Sequence, residues 1–190
     1  MPNPAPPRFP QITLDDLDPQ SRKLGEEILA ISSVGLAGPY NPMLRSPVMA
    51  DRMKRLLDYL RFNSSLPLRL NEFAILIQAR LWTSQVEWYA HHPLALKAGL
   101  RAEIAADLKA RKRPANMAED EAVVYDFCME LCERRAVSDA LFARARAVLG
   151  EQQLIDLVAV TGTYVTIAML LNVAQAGVPA GKELPFPEAA

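Results

Sequence analysis

Residues 67–99 read PLRLNEFAILIQARLWTSQVEWYAHHPLALKAG, and this stretch decides the fold class. Apolar side chains recur three and four positions apart in its first half, as they do on one face of an α-helix. They are Leu70, Phe73, Ala74, Ile77 and Leu81. The spacing predicts a helix that opens near Pro67 and packs against the rest of the protein.

The pattern breaks at 82–84, where Thr83 and Ser84 are residue types favoured at helix caps over helix interiors. Ser84 and Glu87 also have the spacing of a capping box, in which a side chain at each position satisfies a free backbone N–H group. The sequence therefore predicts that the chain turns at 82–84 and starts a new helix from 85 to about 98, closed by Gly99.

Working outward from this pair, helical patterns cover the rest of the chain. A first helix starts near Asp15 and Asp16 and ends at about Ser32. Ser46 and Ser138 are expected N-caps. The further predicted helices cover 47–62, 101–110, 119–134, 138–149 and 151–176. No run of β-branched residues lies between turn signals, so the predicted fold class is all-α.

Residues 32–47, SSVGLAGPYNPMLRSP, interrupt the helices with two glycines and three prolines. A loop of this length is expected to be ordered and is often a ligand site. Proline is also frequent in two tails, at about 1–12 and 178–190, which are therefore expected to be extended. The whole chain, 1–190, is predicted to form one domain.

Charge and composition limit the classes of partner. The formal net charge is -1 and the pI is about 6.1, so neither nucleic acid nor an anionic membrane surface is expected as a partner. The start of the chain lacks the basic and apolar regions of a signal peptide. The apolar stretch at 154–176 contains Asp156 and Asn172, so it is predicted to be a core helix. These features predict a cytoplasmic protein that binds a small organic molecule or another protein.

The candidate chemistry is centred on the two histidines, His91 and His92. Glu87 lies one helical turn before His91, and a carboxylate there would fix the imidazole tautomer and favour general acid–base chemistry. Glu72 would approach this pair if the chain reverses at 82–84. A surface ion pair, or a Glu87 that only completes the capping box, explains the same spacing. His92 precedes a proline and is expected to face solvent.

Two other classes of site are disfavoured by the sequence. Cys128 and Cys132 have the spacing C-x-x-x-C, which differs from the redox motif C-x-x-C, so both are expected to be structural thiols. Glu87 and His91 supply only two ligands, so no metal site is predicted. A phosphate-binding glycine loop and a serine nucleophile elbow are both absent from the sequence.

An ordered set of short motifs resembles the carboxymuconolactone decarboxylase-like family, which shares the alkyl hydroperoxidase D-like fold. The motifs are LPLRLNEFAIL (66–76), EWYAH (87–91), AGL (98–100), DEAVVYDF (120–127), the start at Ser138-Asp139 and LLNV (170–173). Residues 38–42, GPYNP, resemble the N-terminal loop of longer members. The resemblance implies a compact multi-helix bundle, no organic cofactor, and a homo-oligomer, either a trimer or a multiple of it or a dimer.

The redox branch of that family carries a glutamate and then C-x-x-C-x-x-x-His. Set against that motif, Glu72 and His91 match the family glutamate and histidine, whereas Ser84 and Glu87 stand at the two cysteine positions. A hydroxyl and a carboxyl cannot form a disulfide, so thiol peroxidase activity at this site is disfavoured. The chain resembles the cysteine-less branch.

The resemblance predicts a lyase that decarboxylates or isomerises a small unsaturated lactone or organic acid. His91 would be the general acid, Glu87 would orient it, and Glu72 would act behind them as a relay. The expected substrate-binding residues are Tyr40, Asn41, Arg80, Ser84, Trp88 and Tyr89. A peroxidase and a non-catalytic ligand-binding oligomer are the alternatives.

Overall fold

The computed structural model describes residues 6–32 and 34–187. In this part of the chain a 3-10 turn, Leu14–Asp16, precedes eight α-helices, and no strand is present. The helices are α1 (Pro19–Ile31), α2 (Tyr40–Met43), α3 (Pro47–Phe62), α4 (Leu68–Leu81), α5 (Gln85–Lys97), α6 (Ala102–Lys109), α7 (Glu119–Arg134) and α8 (Asp139–Ala174). The predicted all-α fold class is confirmed, as are the turn at 82–84 and the two helices around it.

Helix α4 is the centre of the fold. Ten consecutive residues, from Leu70 to Ala79, are buried because α5, α7 and α8 pack around this helix. A helix buried on every side must also satisfy its polar side chains internally. Asn71 therefore donates to the carbonyl oxygen of Leu60, and Glu72 and Gln78 contact side chains of neighbouring helices. The site described below depends on this burial.

Helix α8 consists of two helical segments that meet at Gly150. This residue has φ 74°, a left-handed conformation that glycine adopts without a steric penalty. The predicted break between 138–149 and 151–176 is therefore confirmed. Asp139–Ala174 is long and apolar enough to cross a membrane by length and composition, but 56% of its most apolar window is buried within the fold. A core helix has the same composition, so this is weak evidence for a membrane span.

The predicted start of the first helix is wrong. Asp15 and Asp16 lie in the 3-10 turn, and α1 begins only at Pro19. Its cap is Asp18, whose carboxylate accepts hydrogen bonds from the backbone N–H groups of Gln20 at 2.9 Å and Ser21 at 3.1 Å. The loop at 32–47 also contains the short helix α2, and its residue 33 lies outside the described residues.

The three predicted serine caps, Ser46, Ser84 and Ser138, form no capping hydrogen bond through their hydroxyls. At Ser84 ψ is 98°, compared with 163° at the capping residue Asp18. The buried hydroxyl of Ser84 has no hydrogen-bond partner among the described residues. The serines still mark where helices begin, but the predicted capping box is wrong.

Both tails pack against their own chain where they are described. The backbone N–H of Arg8 donates to the carbonyl oxygen of Ala174 at 2.9 Å, at the end of α8. At the other end, Phe186 is 2% exposed, and its backbone exchanges hydrogen bonds of 2.9 and 3.0 Å with the side chain of Gln85. The predictions for residues 1–5 and 188–190 lie outside the described residues.

Candidate active site

Glu72 and His91 meet where α5 runs back along α4. The turn between the helices is closed by the Ser84 N–H, which donates to the carbonyl oxygen of Ala79 at 2.8 Å. This reversal brings Oε2 of Glu72 to 2.8 Å from Nδ1 of His91. The side chains are 6% and 12% exposed, so the pair is largely protected from solvent. The prediction that Glu72 turns back toward His91 is confirmed.

Glu87 does not pair with His91, so that part of the sequence interpretation is wrong. The carboxyl group is 2% exposed, and neither oxygen has a hydrogen-bond partner among the described residues. Burial raises the pKa of Glu87 well above its ordinary value; the nearby Ser84 hydroxyl, which lies close without forming a hydrogen bond, lowers it by less. The packing of α4 against α5 presents Glu72 to the imidazole, and this tertiary contact overrides the spacing within α5.

Two residues of this region were missed from the sequence. Tyr164 of α8 is 2% exposed, and its ring lies edge-on to that of His91 with 5.1 Å between the ring centres. Burial raises the pKa of Tyr164, and the charge of Arg61 lowers it by less. Arg61 of α3 is half-buried. A tyrosine inside an otherwise apolar helix is a weak sequence indication that Tyr164 belongs to a site. The sequence gives no such indication for Arg61, because an arginine at a helix end is ordinary.

A cavity of about 960 Å³ opens beside the pair. His91 and Tyr164 contribute to its wall, and Arg61 lies in the same wall. Three of the predicted substrate-binding residues, Tyr40, Trp88 and Tyr89, also line it. Its volume is near the upper end of the roughly 300–1,000 Å³ that small-molecule sites occupy. The proline-rich loop and α5 thus border a single space that contains the histidine.

The other three predicted substrate-binding residues lie elsewhere. Asn41 is 8% exposed, and its Oδ1 accepts a hydrogen bond of 3.0 Å from the backbone N–H of Ile12, which holds the N-terminal segment in place. Arg80 donates to the carbonyl oxygen of Lys109 at 2.8 Å, and its guanidinium lies 4.5 Å from the centre of the Phe186 ring. Ser84 is fully buried outside the cavity wall. Their predicted contact with substrate is not supported.

His92 is half-buried, so the prediction that it faces solvent is wrong. Its ring stacks on Trp88 with 5.6 Å between the ring centres, and it contributes to the cavity wall. Burial lowers the pKa of His92, and the nearby charge of Lys109 lowers it further. Both effects favour the neutral imidazole, which distinguishes His92 from a general acid.

The two thiols lie on α7, outside the cavity wall. Cys128 is fully buried, its sulfur lies 3.4 Å from Oγ1 of Thr161, and burial raises its pKa to about 12. Cys132 is half-buried and donates to Oε1 of Gln78 at 3.3 Å. The prediction of structural thiols agrees with these contacts. In the described part of the chain no three His, Cys, Asp or Glu side chains form a group that could hold a metal ion.

No protein-family model matches the sequence, and no curated protein does. Solved structures do match. A protein of Ralstonia eutropha JMP134, described as an alkylhydroperoxidase AhpD core and an uncharacterized peroxidase-related protein, superposes with a TM-score of 0.76 at 15% identity, over 92% of this chain and 93% of its own. An uncharacterized peroxidase-related protein of Silicibacter sp. TM1040 gives a TM-score of 0.71 at 14% identity, over 95% and 96%. Identities this low show the fold alone, and the chain has the fold of the alkylhydroperoxidase AhpD core.

Proposed function

We propose that this protein is an acid–base lyase that decarboxylates or isomerises a small unsaturated lactone or organic acid. The observation that carries the proposal is the contact of 2.8 Å between Glu72 and His91 at the wall of a large cavity. A buried carboxylate fixes the tautomer and orientation of an imidazole, and an imidazole so held exchanges protons efficiently near neutral pH.

The reaction needs only proton transfer when the substrate carries a conjugated carbonyl group. In decarboxylation the bond to the carboxylate breaks, carbon dioxide leaves, and the electron pair moves onto the conjugated carbonyl as an enolate. The imidazolium form of His91, protonated from water at Nε2, then delivers that proton to carbon as the enolate returns to the carbonyl, and Nε2 takes up another proton from water before the next turnover. With Glu72 ionised, the Nδ1 proton of His91 is donated to Oε2, which leaves Nε2 to exchange the proton with substrate.

A dithiol peroxidase is the competing function, because both solved structures above are described as peroxidase-related. Such an enzyme needs two sulfur atoms that react with peroxide and with each other. Ser84 and Glu87 occupy the positions where the redox branch of the resembling family has cysteines. Cys128 and Cys132 are on a different helix, with their sulfur atoms in contact with Thr161 and Gln78. We therefore favour acid–base chemistry.

The test is an activity screen on unsaturated lactone acids. Turnover is measured as release of carbon dioxide and as loss of ultraviolet absorbance. Hydroperoxides with a dithiol reductant are assayed in parallel on the same preparation. We expect turnover of at least one lactone acid, and loss of that turnover in His91→Gln but not in His92→Gln. Dithiol-dependent peroxide reduction that survives His91→Gln would contradict the proposal. Saturable binding without any turnover would instead favour the non-catalytic alternative.

The expectations for oligomeric state, compartment and cofactor are also part of this proposal. We infer that the protein acts as a homo-oligomer without an organic cofactor, as the family resemblance implies, and that it lies in the cytoplasm, as its sequence features predict. Light scattering coupled to size exclusion gives the oligomeric state of the full chain. A catalytically active monomer would show that the cavity of one chain is sufficient for the reaction.

A further inference from the structure

The wall of the cavity has a small group of polar side chains and a larger apolar surface. The cavity wall contains a polar cluster of Tyr40, Arg61, His91 and Tyr164, in which the ring centres of His91 and Tyr164 lie 5.1 Å apart. Much of the remaining wall is apolar and comes from several helices and from the C-terminal tail. It includes Val34, Leu57, Val86, Leu94, Ile167 and Pro179.

Arg61 is the cation in this cluster, and the carboxylates near it already have partners. Asp58, one turn earlier on α3, forms an ion pair of 2.7 Å with Lys54. Glu72 is held by His91. Among the described residues no carboxylate forms an ion pair with Arg61, whose guanidinium lies 5.0 Å from the centre of the Phe62 ring. A half-buried guanidinium without a carboxylate is a strong donor to a carboxylate ligand.

Lys109 is the other cation at the cavity wall. It is exposed, and its charge acts on His92. A carboxylate bound to Arg61 would lie in the cluster that contains His91, whereas one bound to Lys109 would lie beside His92. Arg61 therefore suits a substrate headgroup, and Lys109 provides a matched control on the same cavity.

We propose that the cavity binds an amphiphilic carboxylic acid, with its carboxylate on Arg61 between Tyr40 and Tyr164 and its apolar body along the apolar wall. The proposal rests on the proposed function only in taking this cavity as the substrate site. A volume of about 960 Å³ exceeds what a compact lactone acid needs, and a longer alkyl or aryl body would cover apolar wall that otherwise contacts water. Arg61 thus determines the substrate class.

Binding is measured by calorimetry and by tryptophan fluorescence, to which Trp88 in the cavity wall contributes. The probes are butanoate, octanoate and the uncharged analogue 1-octanol. We expect octanoate to bind at least about tenfold more tightly than butanoate, because each added methylene leaves water. Octanoate should also bind at least about tenfold more tightly than octanol, because a charged hydrogen bond is lost in the alcohol.

The variants assign the headgroup site. Arg61→Gln should lower the affinity for octanoate by on the order of ten- to a hundredfold and leave the affinity for octanol unchanged. Arg61→Lys should retain part of the affinity, and Lys109→Gln should change it by less than about threefold, as expected for an exposed charge. Octanol binding as tightly as octanoate in the wild-type protein would overturn the proposal, and so would full affinity for octanoate in Arg61→Gln.

The outcome is separable from that of the proposed function. Arg61-dependent octanoate binding with no turnover of any lactone acid would support the carboxylate site on Arg61 and contradict the lyase proposal. Turnover of a lactone acid that is unaffected by Arg61→Gln, together with no preference for octanoate, would support the lyase proposal and contradict the site on Arg61.

Discussion

Two polar side chains of the central helix α4 contact a chemically reactive side chain on a neighbouring helix, a histidine in one region and a cysteine in the other. Glu72 holds His91 of α5 at 2.8 Å, at the wall of the cavity. Six residues further along, Gln78 accepts from Cys132 of α7 at 3.3 Å, away from that wall. Each contact gives a buried polar side chain of α4 one hydrogen bond, although Nε2 of Gln78 has no partner among the described residues. Only His91 lines the cavity, so its position beside a candidate ligand site distinguishes the two regions.

The surroundings of the thiols also differ from those of His91. Burial raises the pKa of Cys128 to about 12, which disfavours the reactive thiolate. His91 has a carboxylate within hydrogen-bond distance and a side chain that is 12% exposed. A nucleophile that is buried without a counter-charge is inert, whereas an imidazole beside a carboxylate and a cavity is available for proton transfer.

The strongest test of this contrast is His91→Gln. Removing the imidazole should lower kcat by about a hundred- to ten thousandfold, the usual contribution of a general acid–base residue. Glutamine keeps a donor for Glu72, so the urea midpoint of unfolding should change little. The measurement is steady-state turnover of whichever acid the screen identifies. His92→Gln is the matched control, and equal losses in both variants would show that the cavity histidines only shape the site.

Glu72→Gln tests the partner of His91. The amide removes the negative charge from a buried hydrogen bond, so we expect kcat to fall by about ten- to a hundredfold. KM should change less than kcat, because Glu72 contacts His91 and does not line the cavity. An unchanged kcat with only a lower melting temperature would assign Glu72 a purely structural role.

Glu87→Gln tests the buried carboxyl group that has no partner. The pKa of Glu87 is raised in the folded protein, so its contribution to stability is fully present below the ordinary value of 4.5 and is lost as pH rises toward the raised value. The variant cannot ionise and should lose less stability between about pH 5 and about pH 8. The difference in the free energy of unfolding should grow by at most about 1.4 kcal/mol per pH unit.

Urea denaturation at several pH values gives this difference directly. Glu103→Gln, an exposed site, serves as the control and should follow the wild-type protein. A Glu87→Gln curve parallel to that of the wild-type protein would show that the carboxyl group is not protonated preferentially in the fold.

The smallest expected effect is at the thiols. Cys132→Ser should leave turnover of the lactone acid within about twofold, because the sulfur only donates to Gln78. In the folded protein Cys128 should resist a thiol reagent that modifies it readily in denaturant. Mass spectrometry of the labelled protein separates the two sites. A disulfide between Cys128 and Cys132 that forms with peroxide during turnover would reverse the contrast between the regions.

The course of the backbone could largely be predicted from the sequence. Apolar spacing located α4, cap-forming residue types located the turn at 82–84, and Gly150 located the break in α8. These are local effects, so a local pattern is sufficient to reveal them. The same reasoning failed for the serine hydroxyls. At Ser138, for example, the hydroxyl donates to Glu130 of α7, a contact that residue type does not reveal.

The candidate site could be predicted only in part. Sequence spacing and the family resemblance singled out Glu72, Glu87 and His91, and the structure brings Glu72 and His91 together. Tyr164 and Arg61 escaped prediction because they come from α8 and α3, far from the histidine in sequence. Arg80, which was predicted to bind substrate, packs against Phe186 of the C-terminal tail, and no spacing rule reveals that long-range contact.

The sequence by itself determined an all-helical chain with a histidine near two glutamates and no thiol pair at the site. Only the tertiary structure decided which glutamate holds His91 and which is left alone in the interior. The physical reason is that spacing along one helix fixes which side chains share a face. The partner of a buried group is instead set by the neighbouring helix that packs against it, and here that helix is α4.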